Sequence, residues 1–318
     1  APARKTNTLA IVSMIAAIVG FIWVLPFVGS LAGAIMGHLS LGQIKRTGEG
    51  GRGMALTGVI LGWIGVAIAV LIGIFFIIAI FYVINYTIVA AFDTMTDPPG
   101  QLHAVGKLIG ALAFGWALVF IYYTKSELLT SNMMIVSVGA YYRRVTPVLI
   151  MRILLFCYLG NILGGLLIAV MLRGTTLLDG PVLNAMVHAV DVKTGYLSNG
   201  FSGWLDLFIR AVLCNFMINL AMLLVYNGYL TEDIAKCMAM ITAVFVFAFL
   251  DFEHSVANTV LFMIVGFQHD MPIGLVFGNL GTVLLGNFVG GGILIGFYYA
   301  WVNDERDTHL VHLRRHRH

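Results

Sequence analysis

Asp251-Phe252-Glu253-His254-Ser255-Val256-Ala257-Asn258 interrupts an apolar stretch, with Cys237 to Leu250 before it and Thr259 to Phe267 after it. Neither flank alone can cross a bilayer, because a hydrocarbon core of about 30 Å needs about 20 apolar residues as helix. Joined through the polar segment, the two flanks are long enough. A carboxylate and an imidazole at mid-depth are costly, so they must face protein or a polar cavity. Backbone that leaves the helix at that depth is tolerated only where it is buried in protein or lines a pore. The segment therefore predicts a broken transmembrane helix, around which the rest of the chain is organised.

The composition agrees. The chain has 318 residues, 60% of them hydrophobic and only 10% charged, with a mean hydropathy of +0.94. Soluble domains carry roughly 25% charged residues, so this is an all-α polytopic membrane protein. Long apolar runs with glycines exclude the alternating pattern of an outer-membrane barrel. The net charge of +3 does not point to nucleic acid, because the basic residues cluster at membrane edges. Cys157, Cys214 and Cys237 lie in or beside apolar runs and read as small buried hydrophobes. No Cys/His spacing suggests a metal, and nothing in the sequence implies a cofactor. The tail histidines His309, His312, His316 and His318 have no ligand-like context.

Working outward, residues 8 to 43 are apolar but interrupted at Pro26 and Gly29. They predict a hairpin of two short helices, about 8–25 and 28–43. Arg4-Lys5 before the first helix can mimic a signal peptide, but the apolar run reads as a retained helix, since no small-residue cleavage site precedes a polar mature segment. The turn Gln43-Ile44-Lys45-Arg46-Thr47-Gly48-Glu49-Gly50-Gly51-Arg52-Gly53 is basic and, with Arg4-Lys5, is expected on the cytoplasmic side. Residues 54–92 form one long run that would span about 58 Å as helix. It is expected either to extend beyond the membrane or to break near Asn85. Pro98-Pro99-Gly100 marks a loop. Spans follow over 104–123, 148–171, 204–226 and 273–301, with Arg173 to Gly203 read as a long outer polar loop. The domains are thus 1–53, a membrane hairpin; 54–303, six helices; and 304–318, a basic cytoplasmic tail. Both termini are expected in the cytoplasm and the protein in the cell (inner) membrane.

An internal repeat gives the break a partner. Glu127 and Asn132 recur 126 positions on as Glu253 and Asn258, Leu159-Gly160-Asn161 as Leu285-Gly286-Asn287, and Gly164-Gly165 as Gly290-Gly291. Each unit reads as helix, broken helix, helix. Three spans are an odd number, so the second copy enters the membrane upside down, and the two broken helices meet near the midplane.

The sequence at this point resembles the formate/nitrite transporter family. The residues that carry the resemblance are Ser126-Glu127-Leu128-Leu129-Thr130-Ser131, Tyr158-Leu159-Gly160-Asn161-Ile162-Leu163-Gly164-Gly165, Arg210-Ala211-Val212-Leu213-Cys214-Asn215, Phe252-Glu253-His254-Ser255-Val256-Ala257-Asn258, and Asn279-Leu280 with Leu285-Gly286-Asn287-Phe288-Val289-Gly290-Gly291. They cover roughly residues 105–302. The resemblance implies a homopentamer of six-helix, aquaporin-like protomers, each with its own pore for a small monovalent anion or its acid: formate, nitrite, hydrosulfide or lactate. It places the pore histidine at His254 with Thr130 facing it, apolar constrictions at Leu128 and Phe247, and basic vestibule residues at Lys107 and Lys236. Asp251 departs from the family, which usually has Gly there. The hairpin in turn resembles a small bacterial membrane domain of unknown function, through Lys5-Thr6-Asn7-Thr8-Leu9-Ala10-Ile11-Val12-Ser13 and the glycine-rich turn after Leu41.

Chemistry assigns the remaining roles. An imidazole at a hydrophobic midpoint can give a hydrogen bond or a proton to a small anion. A protonated anion is neutral and crosses an apolar ring far more cheaply than a charge. Glu127 and Glu253 would repel anions, so their better role is to accept backbone N–H groups freed by each break. Asn132, Asn161, Asn258 and Asn287 can stitch broken helix ends to their neighbours, with anion lining as the second role; Asn258 is also placed in the pore. Lys107 and Lys236 either snorkel to headgroups or funnel anions to the mouths. The sequence therefore predicts transmembrane transport of a small monovalent anion, with pH dependence through His254 and no enzymatic role. The alternatives are a neutral-solute channel and a membrane scaffold or sensor with a degenerate pore.

Overall fold

A computed structural model describes residues 5–21, 26–125 and 128–304, with the side chains of 21, 26–27 and 67–76 left undescribed. The described residues are helical throughout apart from turns and one isolated parallel bridge, Thr6 to Gly50. Among the described residues, five helices are long and apolar enough to cross a membrane: Ile77–Thr94, His103–Tyr123, Pro147–Arg173, Gly200–Tyr226 and Ile273–Val302. The chain divides into two compact units, Ala1–Gly73 and Ile74–His318.

In the first unit the expected hairpin is present as α1 (Thr8–Phe21) and α2 (Pro26–Thr47). Asn7 starts α1: its Oδ1 accepts from the Ala10 amide at 3.1 Å, an N-cap geometry. Its Nδ2 donates to Glu49 Oε2 at 2.6 Å and to Gln43 Oε1 at 3.1 Å, tying the start of the hairpin to its end. Gln43 to Thr47, expected in the basic turn, instead forms the last turn of α2, which stops at Gly48 with φ 71°. The third helix, α3, runs unbroken from Arg52 to Thr94. No Pro lies in that stretch, so nothing enforces the break considered near Asn85. Its first half packs onto the hairpin through small residues; a Cβ at Gly62 would lie 2.4 Å from the Ala34 amide nitrogen. The division between the compact units falls at 73/74, inside α3.

The second unit contains the end of α3, then α4 (His103–Tyr123), α5 (Leu129–Tyr141), α6 (Pro147–Arg173), α7 (Pro181–Ser198), α8 (Gly200–Tyr226), α9 (Asp233–Phe249), α10 (Ser255–Gly266) and α11 (Ile273–Asn287). A π-helical segment, Phe288–Phe297, and α12 (Tyr298–Val302) complete it. The repeat seen in the sequence is a repeat of backbone. α5 begins at Leu129 and α10 at Ser255, 126 positions apart, after N-caps of matching geometry: Leu128 at φ −100°, ψ 119° and His254 at φ −111°, ψ 118°. Lys125 and Asp251, also 126 apart, both sit at φ 53°. The packing follows the same two-fold logic. α4 lies against its counterpart α9, α5 against the π segment of the second copy, and α10 against α6 of the first.

Two features depart from the sequence reading. The region read as a long polar loop, 173–203, holds α7. Gly180 (φ 60°) and Pro181 start it, and Met186, Val190 and Thr194 form its buried stripe. The four-residue spacing of that stripe was present in the sequence, but low mean hydropathy masked it. The last span is not a uniform α-helix; its π segment coincides with Gly290, Gly291 and Gly292. The glycines allow close approach there: a Cβ at Gly290 would lie 2.1 Å from the Val212 carbonyl oxygen. The tail beyond Asp304, with its histidines and arginines, lies outside the described residues.

Candidate functional site: a pore through the two breaks

The ends of α4 and α9 and the starts of α5 and α10 converge on His254. It is buried, 5% exposed. Its Nδ1 accepts from the Ala257 backbone N–H at 3.1 Å, capping α10. A neutral imidazole has one acceptor and one donor nitrogen, so this bond fixes the tautomer with the proton on Nε2. Nε2 lies 3.2 Å from Thr130 Oγ1, on the first turn of α5. The two breaks are thus brought face to face, as the sequence predicted. The Phe247 ring stacks on the imidazole (centroids 5.6 Å apart), and Phe114 meets Phe247 edge-on at 6.1 Å.

Three cavities lie along these residues. A cavity of about 850 Å³ is lined by Lys125, Leu128, Ser131, Asn132, Arg152 and Tyr226, among others. A cavity of about 280 Å³ on the other side is lined by residues including Lys107, Lys193, Asp251, Glu253, His254 and Asn258. Between them lies a pocket of about 30 Å³ with walls from Phe114, Leu118, Leu128, Val244, Phe247 and His254. Leu128 borders the larger cavity and this neck, while Phe247 and His254 border the neck and the smaller cavity. Leu128 and Phe247 therefore stand at opposite ends of an apolar constriction.

Glu253 is buried and does not rely on backbone amides for its charge. Lys193 Nζ, on α7, donates to both of its carboxylate oxygens at 2.9 Å, and Asn258 Nδ2 donates to Oε2 at 2.6 Å. The expected role of holding the break shape remains, but through a buried ion pair; a carboxylate at this depth needs a cation as well as dipoles. Asn279 extends the network: its Oδ1 accepts from Asn258 at 3.0 Å and its Nδ2 donates to the Lys193 carbonyl at 2.9 Å.

Asn287 performs the stitching read from the sequence. Its Oδ1 accepts from the Ser255 amide at 2.9 Å, and its Nδ2 donates to the carbonyls of Glu253 and Ala211 at 2.9 and 2.8 Å. On α8, Asn215 and Asn219 each donate to the Thr130 carbonyl at 3.1 Å, and Asn215 also donates to the Asn287 carbonyl at 2.7 Å. The α8 asparagines thus hold both breaks. Asn132 borders the larger cavity and donates to Cys157 Sγ at 3.1 Å. Asn161 is fully buried, and its side chain has no hydrogen-bond partner among the described residues. Glu127 lies outside the described residues.

The vestibule lysines fare differently. Lys107 lines the smaller cavity, but its ammonium is ion-paired with Asp251 and lies 5.8 Å from the Phe249 ring centroid. Lys236 is not among the residues bordering either cavity; Asp233, one turn back, holds it at 3.0 Å. Among the described residues, the cations at the larger cavity are Lys125 and Arg152. Lys193, Asn215, Asn219 and Phe114 were not singled out by sequence reasoning. Asn215 ended a motif already noted, whereas Lys193 sat in the stretch taken for a loop.

Two broken helices packed head to head around a histidine, with a cavity on each side of an apolar neck, define a membrane channel or transporter. The chain belongs to the formate/nitrite transporter family, whose model matches residues 63–301. A model of a domain of unknown function, DUF4190, matches residues 9–72. The nitrite transporter NirC of Salmonella typhimurium is 30% identical over 210 residues, covering 64% of this chain and 74% of that protein. The formate channel FocA of Escherichia coli is 29% identical over 271 residues, covering 76% and 86%. An uncharacterized transporter of Bacillus subtilis, YwcJ, is 28% identical over 232 residues, covering 70% and 86%. Among solved structures, an FNT family ion channel superposes with a TM-score of 0.59 at 26% identity, covering 74% of this chain and 97% of that one. A pentameric formate channel with formate bound shares the fold, with a TM-score of 0.56 at 23% identity over 74% and 96%.

Proposed function

We propose that the chain conducts a small monovalent anion, of the formate or nitrite class, through a pore within each protomer, and that His254 supplies the hydrogen bond or proton that lets it cross the neck. The observation that carries this reading is the imidazole donor at the neck. Among the described residues, His254 is the polar side chain in the wall of an otherwise apolar constriction, and its Nε2 lies 3.2 Å from the Oγ1 of the buried Thr130, which is not among the residues lining the three cavities. An anion that reaches the imidazole from either cavity exchanges part of its hydration for a hydrogen bond from Nε2–H. A proton that enters with the anion from the cavity water, exchanged through Nε2 so that the imidazole is left neutral, then removes the charge that the apolar walls penalise. Asn258, on the smaller cavity, donates its amide to Glu253 and Asn279, so its contribution is to hold the wall. Two of the relatives that match over most of the domain are a nitrite transporter and a formate channel, which supports the substrate class. The reading includes a homopentamer in the inner membrane with both termini in the cytoplasm, 54–303 as the transport domain and lipid around it.

The test is uptake of formate and nitrite into proteoliposomes across a pH series. His254→Asn keeps a polar side chain but cannot relay a proton; uptake is expected to fall about tenfold or more and to lose its pH dependence. Uptake and pH profile both unchanged would exclude the proton role. A second outcome is expected at the wall. Phe247→Ala removes the ring that closes the neck, so proteoliposomes should gain permeability to glycerol, read by stopped-flow shrinkage. An unchanged glycerol rate would show that Phe247 does not set the constriction.

A further inference from the structure

The residue that bends each break carries opposite charge in the two copies. Lys125 and Asp251 are related by the repeat, share a left-handed backbone at φ 53°, and border the larger and the smaller cavity respectively. Their surroundings differ in the same sense. At the larger cavity, the charged lining residues among those described are Lys125 and Arg152, and neither is ion-paired to a described residue. At the smaller cavity both lysines are compensated: Lys107 by Asp251, and Lys193 by Glu253 at 2.9 Å. A third carboxylate, Asp93, also borders that cavity, 2.9 Å from His103.

We infer that Lys125 and Asp251 make the pore one-sided, so that anions are captured more tightly from the larger cavity than from the smaller. The inference rests on the anion-transport reading above and adds an asymmetry to it. An uncompensated cation in a low-dielectric cleft raises the local anion concentration, whereas a neutralised one does not. Asp251 is the residue that switches off Lys107. The effect must weaken with salt, because both side chains are solvent-exposed.

Right-side-out and inverted membrane vesicles containing the full chain present opposite faces, so formate uptake by each gives a KM for each side. At about 10 mM ionic strength, where the screening length is about 30 Å, the two vesicle types should differ in KM by about threefold or more. Asparagine tolerates left-handed backbone, so Asp251→Asn and Lys125→Asn keep the bend. Asp251→Asn is expected to lower KM in the weaker-binding vesicle type only, and Lys125→Asn to raise it in the other type only. The exchange Lys125→Asp with Asp251→Lys should reverse which type has the lower KM. At about 1 M salt, where the screening length is about 3 Å, all these differences should vanish. Equal KM values on the two faces, or an Asp251→Asn variant that shifts neither face or both alike, would overturn the inference. No saturable formate or nitrite uptake in either vesicle type would instead overturn the transport reading, and the asymmetry with it.

Discussion

Asn287→Leu is expected to destabilise the protein by about 3 kcal/mol or more, although leucine has the same branching and adds apolar surface. One amide serves three buried partners: it accepts from the Ser255 N–H and donates to the carbonyls of Glu253 and Ala211. Leucine leaves all three unpaired, at about 1–3 kcal/mol each. Two of them belong to the backbone where the second helix breaks, so the loss falls on the geometry that positions His254. In a detergent-solubilised preparation the apparent Tm should drop by about 6 °C or more, and formate uptake should be lost with it. Asn303→Ala is the comparison. That side chain is exposed and donates to the Tyr299 carbonyl one turn back, so its removal should change stability by about 0.5 kcal/mol or less. Equal Tm values for the two variants would mean that Asn287 does not hold the break.

Lys193→Met is the second large effect. The Lys193 and Glu253 side chains are 12% and 2% exposed, and both carboxylate oxygens accept from the one ammonium. Removing one partner of a buried pair strands the other charge, at about 3–5 kcal/mol. The Asn258 amide at 2.6 Å offsets only part of this. Glu253→Gln alone leaves a buried lysine and should cost a similar amount. The double variant removes both charges and should be more stable than either single variant, so a double-mutant cycle yields a favourable coupling between the two positions. Strictly additive losses would show that the charges act independently.

The repeat was legible because two polar motifs recur at one spacing, and a helix break that carries a polar residue into the membrane leaves a mark in the sequence. The facing of His254 and Thr130, and the constrictions at Leu128 and Phe247, were implied by the family resemblance and not by the repeat; in the structure His254 Nε2 lies 3.2 Å from Thr130 Oγ1, and Leu128 and Phe247 line the neck. The partner of Glu253 was not legible. Lys193 lies 60 residues away on α7, a helix whose buried stripe of Met186, Val190 and Thr194 alternates with polar residues and fails any test of mean hydropathy. The Lys107–Asp251 pair spans 144 residues, and no local pattern announces it. Lys236 shows the reverse error: a lysine at a span edge was taken to face a cavity, when Asp233 three residues before it was the nearer partner. The π segment left no signal beyond its glycines, which fit close α-helical packing equally well.

The neck has a bearing on the energetics of the cell that holds this protein. Its volume of about 30 Å³ holds about two water molecules at most, and its walls are apolar apart from His254. A proton hopping between waters needs an unbroken file of them across the membrane, and two isolated molecules between Leu128 and Phe247 do not make one. On the transport reading proposed above, protons would cross only together with the transported acid, and an idle pore would not short-circuit the transmembrane proton gradient.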